Sequence, residues 1–424
     1  MCGRLVGDRM EDILIIKDYI KRFERYGFGL FVHFGLYSNI GRGEWALELC
    51  KDISAEEYEK LPATFNPDPD WATELAKTAK AAGCRYITLT TRHHDGFSLY
   101  DASPISTYDA PHALCGRDLI REFVDACRAE GLVPFFYHTL LDWHEKSYNT
   151  DFKEYLKYLR ASIEILCTRY GKIGGFWFDG MWNKPDEDWE EDALYSLIRS
   201  YQPEAMIINN TGLSARGALG HIELDSVTFE RGKPQPINME GAPKYVASEM
   251  CQIFGDHWGY ASRDFNFKSL ADIIKDYCTC RRFGSNLLIN VGPVGTGRLR
   301  PLDTAMLTTL GEWISTFSEA CVGTIPTGIA VKGRADDFIM KGEGAYYLFC
   351  HDLPMVGASD VVVAEEKRAD YTVSFTLPEN IKSVEWLGEG RALTFTRNGD
   401  TVTVNTEPQP YGQSVVVRIA KITV

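Results

Sequence analysis

Between residues 25 and 320, short apolar runs alternate with helical patterns, and nearly every run ends in a polar side chain. YGFGLFVHFG ends at His33, CRYITLTTRHHDGF at His93 and His94, LVPFFYHTL near Tyr137 and His138, and GKIGGFWFDG at Asp179. AMIINNTG then ends at Asn209 and Asn210, LDSVTFERG at Glu230, YVASEMCQIF carries Glu249, and SNLLINVGP ends at Asn290. Helical patterns such as WATELAKTAKAAG, DLIREFVDACRAEG and SLADIIKDYCTCRRFG separate the runs, and a last one spans residues 304–317. This alternation predicts parallel βαβ units whose strands are buried on both faces. Eight such strands predict a (β/α)8-like TIM barrel, a fold that gathers its catalytic groups at the C-terminal ends of the strands. The loop between Asn210 and Leu224 is the least regular part of the pattern.

Beyond residue 325 the texture changes. DFIMKGEGAYYLFCHD, DYTVSFTLPE, ALTFTRNGDTVTVNT and SVVVRIAK alternate apolar and polar residues with no helical period. The Asn398-Gly399 pair is a hairpin signal. The predicted division is therefore a barrel over residues 1–325 and a small antiparallel β-sandwich over residues 326–424. The sandwich carries no constellation of acid/base residues.

Length and charge narrow the partners. A chain of 424 residues with 45% hydrophobic and 25% charged residues has ample material for a core. The formal charge of −14, with no block of Lys or Arg, argues against nucleic acid and against an anionic membrane as partners. The start, MCGRLVGDRMEDILIIKDYIKRF, reads as neither a signal peptide nor a membrane span, which makes a cytoplasmic location the expectation. Eleven scattered cysteines without metal-site spacing agree with reduced, mostly structural thiols.

Asp179 is the residue that asks for an explanation. It ends an apolar strand between Trp177 and Trp182, and desolvating a carboxylate there costs several kcal/mol unless a partner or a chemical role accounts for it. Carboxylates, histidines and tryptophans at one barrel mouth point to sugar chemistry. Cleaving a glycosidic bond takes one ionised carboxylate and one protonated acid, while imidazoles and indoles hold hydroxyls and the apolar sugar face. Glu44 and Trp45 in RGEWALEL form one acid-plus-indole pair. Zinc held by His33, His93, His94 and His138 is the competing reading. Neighbouring strand residues point to opposite faces, so His93 and His94 reach one ion only if the chain bends sharply between them.

The stretches GFGLFVHFGLYS, GEWALE, ITLTTRHHDGF, FYHTLLDWH, GGFWFDGMW, SEMCQIFGDHWGY and NLLINVGPVGTG, in this order, resemble the α-L-fucosidases of glycoside hydrolase family 29. The resemblance implies a (β/α)8-like catalytic domain followed by a β-sandwich, and hydrolysis of terminal α-L-fucosides with retention and without metal or other cofactor. It makes Asp179 the nucleophile and His33, Trp45, His93, His94, Tyr137, Trp177 and Trp258 contacts of the sugar. A fucosylated oligosaccharide or glycoconjugate is the implied substrate. Relatives place an arginine after the fifth strand, whereas this chain reads INNTGLSARG, with Thr211 at that point and Arg216 further along the loop.

The general acid/base is argued on position. Glu230 heads into a loop, where a leaving-group acid needs to stand, and is favoured; Glu249, in a motif that helps shape the sugar pocket, is the alternative. A transglycosylase, a retaining glycosidase for a related sugar, and an inactive sugar-binding barrel are the competing functions. The metal reading has a direct test: activity should survive EDTA unchanged, and chelator-sensitive activity restored by zinc would overturn the neutral-histidine reading.

Overall fold

The computed structural model describes residues 15–211, 217, 219–237, 244–357 and 371–424. By packing, the chain divides into two units: Met1–Lys268 with Ser285–Thr308, and Ser269–Gly284 with Thr309–Val424. The division read at residue 325 marks a change in sequence texture; packing groups the helices Leu270–Arg282 and Ser318–Cys321, which precede it, with the second unit.

The first unit holds a closed barrel of eight parallel strands in sequence order. These are β1 (Phe28–Val32), β2 (Tyr86–Arg92), β3 (Val133–Thr139), β4 (Gly175–Asp179), β5 (Met206–Asn209), β6 (Ser226–Thr228), β7 (Ala247–Ile253) and β8 (Asn286–Val291). All eight predicted strands are present. Closure comes from β1, which pairs with β2 through Phe31↔Thr88 and with β8 through Phe31↔Asn290. The helices Trp71–Ala81, Leu119–Ala129, Phe152–Arg169 and Glu191–Tyr201 follow β1 to β4. Each places apolar residues at helical spacing against the strands, and Asp118 and Asp151 cap two of them by accepting from the N–H of Arg121 and Glu154. Among the described residues no α-helix stands between β5 and β6 or between β6 and β7, and β6 has only three residues. This is the segment whose pattern is least regular in the sequence.

Parallel register fixes what faces the axis. Tyr137 pairs with Trp177, Trp177 with Ile208, and Thr228 with Glu249, so these residues share the inner face, while His138 pairs with Phe178 on the outer one. Size alternates to fill the lumen. Gly29 leaves room for the Tyr86 ring, whose atoms would lie 2.5 Å from a β-carbon at that position, and Tyr86 crosses the interior to reach Glu249. Phe31, Phe135, Trp177, Met206, Ile208 and Leu288 complete this buried core.

In the second unit, a five-stranded sheet faces a three-stranded one. The larger runs in the order Ser383–Trp386, Val417–Thr423, Ala345–His351, Phe338–Gly342, Ile325–Ala330; the smaller in the order Thr372–Thr376, Thr401–Asn405, Phe395–Asn398. Leu348, Trp386 and Ala420 from one sheet and Phe375, Val402 and Val404 from the other form the core between them. The predicted hairpin is there, with a shift of one residue: Asn398 pairs with Thr401, so the loop residues are Gly399 and Asp400. Gly399 takes φ 58°, the left-handed backbone that a two-residue hairpin loop requires at its first position. The helix Leu270–Arg282, started by a Ser269–Asp272 capping box, belongs to this unit, where Arg281 donates to the carbonyl of Thr324. The ten cysteines among the described residues are all unbridged.

β4 enters the barrel through glycine because there is no room for a side chain. A β-carbon on Gly175 would lie 2.8 Å from the backbone N of Met206 and closer still to its carbonyl oxygen, both on the neighbouring strand. Gly175→Ala is therefore expected to destabilise the fold by about 1–3 kcal/mol in equilibrium denaturation. A loss below about 0.5 kcal/mol would show that β4 and β5 can part without penalty.

Candidate active site

A cavity of about 180 Å³ opens at the C-terminal end of the strands. His33, Glu44, Trp45, His93, His94, Tyr137, Trp177, Asp179, Glu230 and Trp258 line it, together with Phe31, Trp182 and Asn210. Ten of the eleven residues singled out in the sequence thus meet at one place.

Asp179 ends β4, with its carboxylate 16% exposed. Three neutral donors hold it. The Tyr137 hydroxyl donates to Oδ2 at 3.1 Å, and the Trp182 indole N–H and the Asn210 amide donate to Oδ1 at 3.3 and 3.2 Å. Gly180, at φ 100°, turns the chain sharply after Asp179 and brings Trp182 back over it. The burial of an acid at this strand end is thereby accounted for: its desolvation is offset by hydrogen bonds.

Glu230 stands two residues beyond β6. Arg231 follows with φ 48°, a left-handed conformation unusual for a side chain of that size, and it turns the chain directly after the acid. Oε2 of Glu230 accepts from the Asn210 amide at 2.6 Å. The same amide nitrogen reaches Asp179, so the two carboxylate oxygens are no farther apart than those bonds laid end to end, roughly 6 Å.

Glu249, the alternative acid/base in the sequence, stands apart from the residues that line the cavity. It lies mid-strand on β7, not at the strand end, and does not line the cavity. Its inward register puts it one layer below, where Oε1 accepts from Trp177 Nε1 at 2.9 Å and Oε2 accepts from the Tyr86 hydroxyl. Burial pushes its carboxyl up to about 7, against the pull of those two donors. Its place is to hold the Trp177 indole, which itself lines the cavity. The same register separates His138 from the other histidines. Its ring faces outward, with Nδ1 2.9 Å from the Thr91 hydroxyl.

His93 and His94 do both face the cavity, with ring centroids 4.2 Å apart, because the chain bends there: Gly96 N–H donates to the carbonyl of His93. Among the described residues, no group of three or more His, Cys, Asp or Glu is arranged to hold a metal ion. Hydrogen bonds set the tautomers. Asn290 donates its amide to the carbonyl of Trp258 at 2.7 Å, so its oxygen accepts from His33 Nδ1 at 2.6 Å. The Thr139 hydroxyl donates to the carbonyl of Leu141 and accepts from His94 Nδ1 at 2.7 Å. In both rings Nε2 keeps its lone pair, and in His94 it faces Asp179 Oδ2 at 3.6 Å. Burial is the main cause holding His33 down to about 3 and His94 to about 4, and it lowers His93 too, with the neighbouring rings adding to the effect.

Glu44 accepts from the backbone N–H of Gly259 at 2.7 Å, and burial raises its carboxyl. Trp45 stacks near-parallel to Trp182 at 5.9 Å. Trp258 packs on His33 and Phe31 and gives the cavity an apolar wall. Asn210 and Phe31 are not among the site residues that the sequence singles out, although inward parity on β5 and β1 points to both. Thr211, where the resemblance leads one to expect an arginine, is among the described residues; Arg216 lies outside them.

A family profile described as Alpha-L-fucosidase matches residues 14–319. The chain belongs to the α-L-fucosidase family. A tissue α-L-fucosidase from Bos taurus is 28% identical over 356 residues, covering 78% of this chain and 74% of that protein. Among solved structures, α-L-fucosidase isoenzyme 1 from Paenibacillus thiaminolyticus superposes with a TM-score of 0.78 at 27% identity, covering 96% and 98% of the two chains. A family 29 α-L-fucosidase from Bacteroides thetaiotaomicron, trapped as a covalent intermediate in complex with 2-fluoro-fucosyl fluoride, shares the fold at a TM-score of 0.77 and 22% identity, with 96% of each chain covered.

Acidification tests the neutral histidines. Their ordinary value is 6.5, so below about pH 6.5 the unfolded chain binds protons that the folded site refuses. The stability they confer is complete above pH 6.5 and is lost as the pH falls towards about 4 for His94. Glu249 acts in the opposite sense: its contribution is complete below 4.5 and is lost as the pH rises through about 7. The thermal midpoint should fall between pH 6.5 and 4, less steeply in His94→Gln and more steeply between pH 7 and 4.5 in Glu249→Gln, which removes the opposing contribution. Slopes identical to wild type in both variants would refute these environments.

Proposed function

We propose that this chain is a retaining exo-α-L-fucosidase in which Asp179 is the nucleophile and Glu230 the general acid/base. The observation that carries the assignment is the Asn210 amide bonded to both carboxylates, at 3.2 Å to Asp179 and 2.6 Å to Glu230. That bound agrees with a retaining pair, whose carboxyl groups stand about 5–5.5 Å apart; an inverting pair leaves room for a water, at about 6.5–9.5 Å.

In the first step Glu230 protonates the leaving oxygen while Asp179 attacks the anomeric carbon. The glycosidic bond breaks, a glycosyl ester forms on Asp179, and Glu230 is left ionised. In the second step Glu230 takes a proton from water, the hydroxyl oxygen bonds to the anomeric carbon, and Asp179 leaves as a carboxylate. The covalent intermediate trapped in the Bacteroides protein is the precedent for the ester.

The rest of the cavity suits a single deoxyhexose. The free Nε2 atoms of His33 and His94 accept from sugar hydroxyls, as does the carboxyl of Glu44, and Phe31 and Trp258 offer an apolar surface to a methyl group. The small volume leaves the remainder of a fucosylated oligosaccharide outside, on the side of Trp45, Trp182 and Glu230.

Kinetics separate the two carboxylates. Asp179→Ala should lose on the order of a thousandfold or more in turnover of an aryl α-L-fucoside, and activity within about tenfold of wild type would reject it as nucleophile. Glu230→Ala should lose far more on fucosyl-oligosaccharides, whose leaving group needs a proton, than on nitrophenyl fucoside. Azide should restore its turnover of the activated substrate. Rescue seen only in Glu249→Ala would move the acid/base role to Glu249.

A further inference from the structure

Beneath the cavity runs a chain of directional contacts that ends on the nucleophile. Tyr86 stands deep in the lumen, its ring gripped by Phe23 and Phe135 with centroids 5.5 and 5.1 Å away, and its hydroxyl donates to Glu249 Oε2. Oε1 of the same carboxyl accepts from Trp177 Nε1 at 2.9 Å. Trp177 lies near-parallel to Tyr137, with centroids 5.8 Å and planes 18° apart, and His93 does the same at 5.5 Å and 13°. Strand order puts these two rings on opposite sides of Tyr137, because His93 follows β2, Tyr137 lies on β3 and Trp177 on β4. The Tyr137 hydroxyl then donates to Asp179 Oδ2 at 3.1 Å. Tyr86, Glu249, Trp177 and Tyr137 are all buried, so each link is held in place by packing.

The bond to Glu249 is the directional link in this chain. The χ2 torsion of an indole has two broad wells, and stacking against Tyr137 is available in both. The indole N–H only donates, so an acceptor on one side of the slot selects the well in which the two meet. We propose that Glu249, itself aimed by Tyr86, is a positioning residue for the nucleophile: it fixes the Trp177 indole, the indole fixes the tilt of Tyr137, and Tyr137 sets the direction of the Asp179 carboxylate. The inference rests on the nucleophile assignment above. Misplacing a reacting group by about 1 Å can cost about 100-fold in rate, so a carboxyl that never meets the sugar can govern the chemical step.

Reaction with 2-fluoro-fucosyl fluoride isolates the attack of Asp179. The carboxylate bonds to the anomeric carbon, the bond from that carbon to fluorine breaks, and fluoride leaves without a proton from an acid. Fluoride release in the first turnover gives two numbers, the rate constant at saturation and the half-saturating concentration. Glu249→Leu, which offers no acceptor, should lower the rate constant about 10–100-fold and leave the half-saturating concentration within about threefold. Glu249→Gln should restore the rate constant to within about fivefold of wild type, because its amide oxygen accepts from Trp177 while its N–H donates to the Tyr86 hydroxyl, which accepts as well as donates. Tyr86→Phe, which keeps the ring, should cost about 3–10-fold, and nothing further when added to Glu249→Leu, since Tyr86 acts through Glu249.

A purely structural role predicts lower thermal midpoints with the rate constant unmoved. A role confined to the sugar wall predicts a higher half-saturating concentration, again with the rate constant unmoved. Either result overturns the proposal, as does a Glu249→Gln protein as slow as Glu249→Leu. If circular dichroism shows Glu249→Leu unfolded, Tyr86→Phe decides by the same two numbers. Wild-type protein that releases no fluoride removes the underlying assignment as well. Release that is abolished in Asp179→Ala, with unmoved rate constants in the folded Glu249 and Tyr86 variants, overturns this inference alone.

Discussion

Closing the ladder of eight parallel strands by pairing β1 with both β2 and β8 decides, strand by strand, which side chains meet at the axis. Once Tyr137, Trp177 and Ile208 share the inner face, their neighbours on each strand are committed to the outer one. The cavity is the top of this inner column. Asp179 follows Trp177 by two residues, Asn210 follows Ile208 by two, and Glu230 follows Thr228 by two. A one-residue slip on any of these strands would replace its chemical group by an apolar one or by a residue already engaged in the helical layer.

Below the mouth, the column is a polar support set in an aromatic core. Glu249 receives the indole of Trp177 and the hydroxyl of Tyr86, and Tyr86 reaches it only because Gly29 has no side chain. Removing the acid would leave two donors buried without partners, at about 1–3 kcal/mol each, so its presence specifies the orientation of the cavity floor more than it adds stability. The histidines follow similar logic. Burial keeps them uncharged, and the Nδ1 bonds of His33 and His94 to Asn290 and Thr139 leave their Nε2 atoms as acceptors in rings that line the cavity.

Asp179 is balanced by the same means. A hydroxyl, an indole and an amide donate to it. Neutral donors orient a carboxylate and support its charge. The Asn210 amide, directly after β5, spans the two acids.

Much of this is legible in the sequence. Strand–helix alternation locates all eight strands, and the polar endings mark the mouth of the barrel, because a buried strand tolerates charge only where it reaches solvent or serves the chemistry. Asp179 stands out for that reason, and Glu230 is separable from Glu249 because one heads into a loop and the other does not. What strand periodicity leaves open is depth and face. Period-two alternation says that Asn209 and Asn210 point opposite ways but not which points inward. It assigns His93 and His94 to opposite faces, whereas a bend after β2 turns both to the cavity. Nor does it give the depth of Glu249, which register on β7 sets beneath the cavity, bonded to the Trp177 indole. The sequence by itself determined the order of elements and the chemical character of the strand ends, through local patterns of burial. The tertiary structure decided which of those ends converge, because register and stagger arise only when strands distant in the chain share hydrogen bonds.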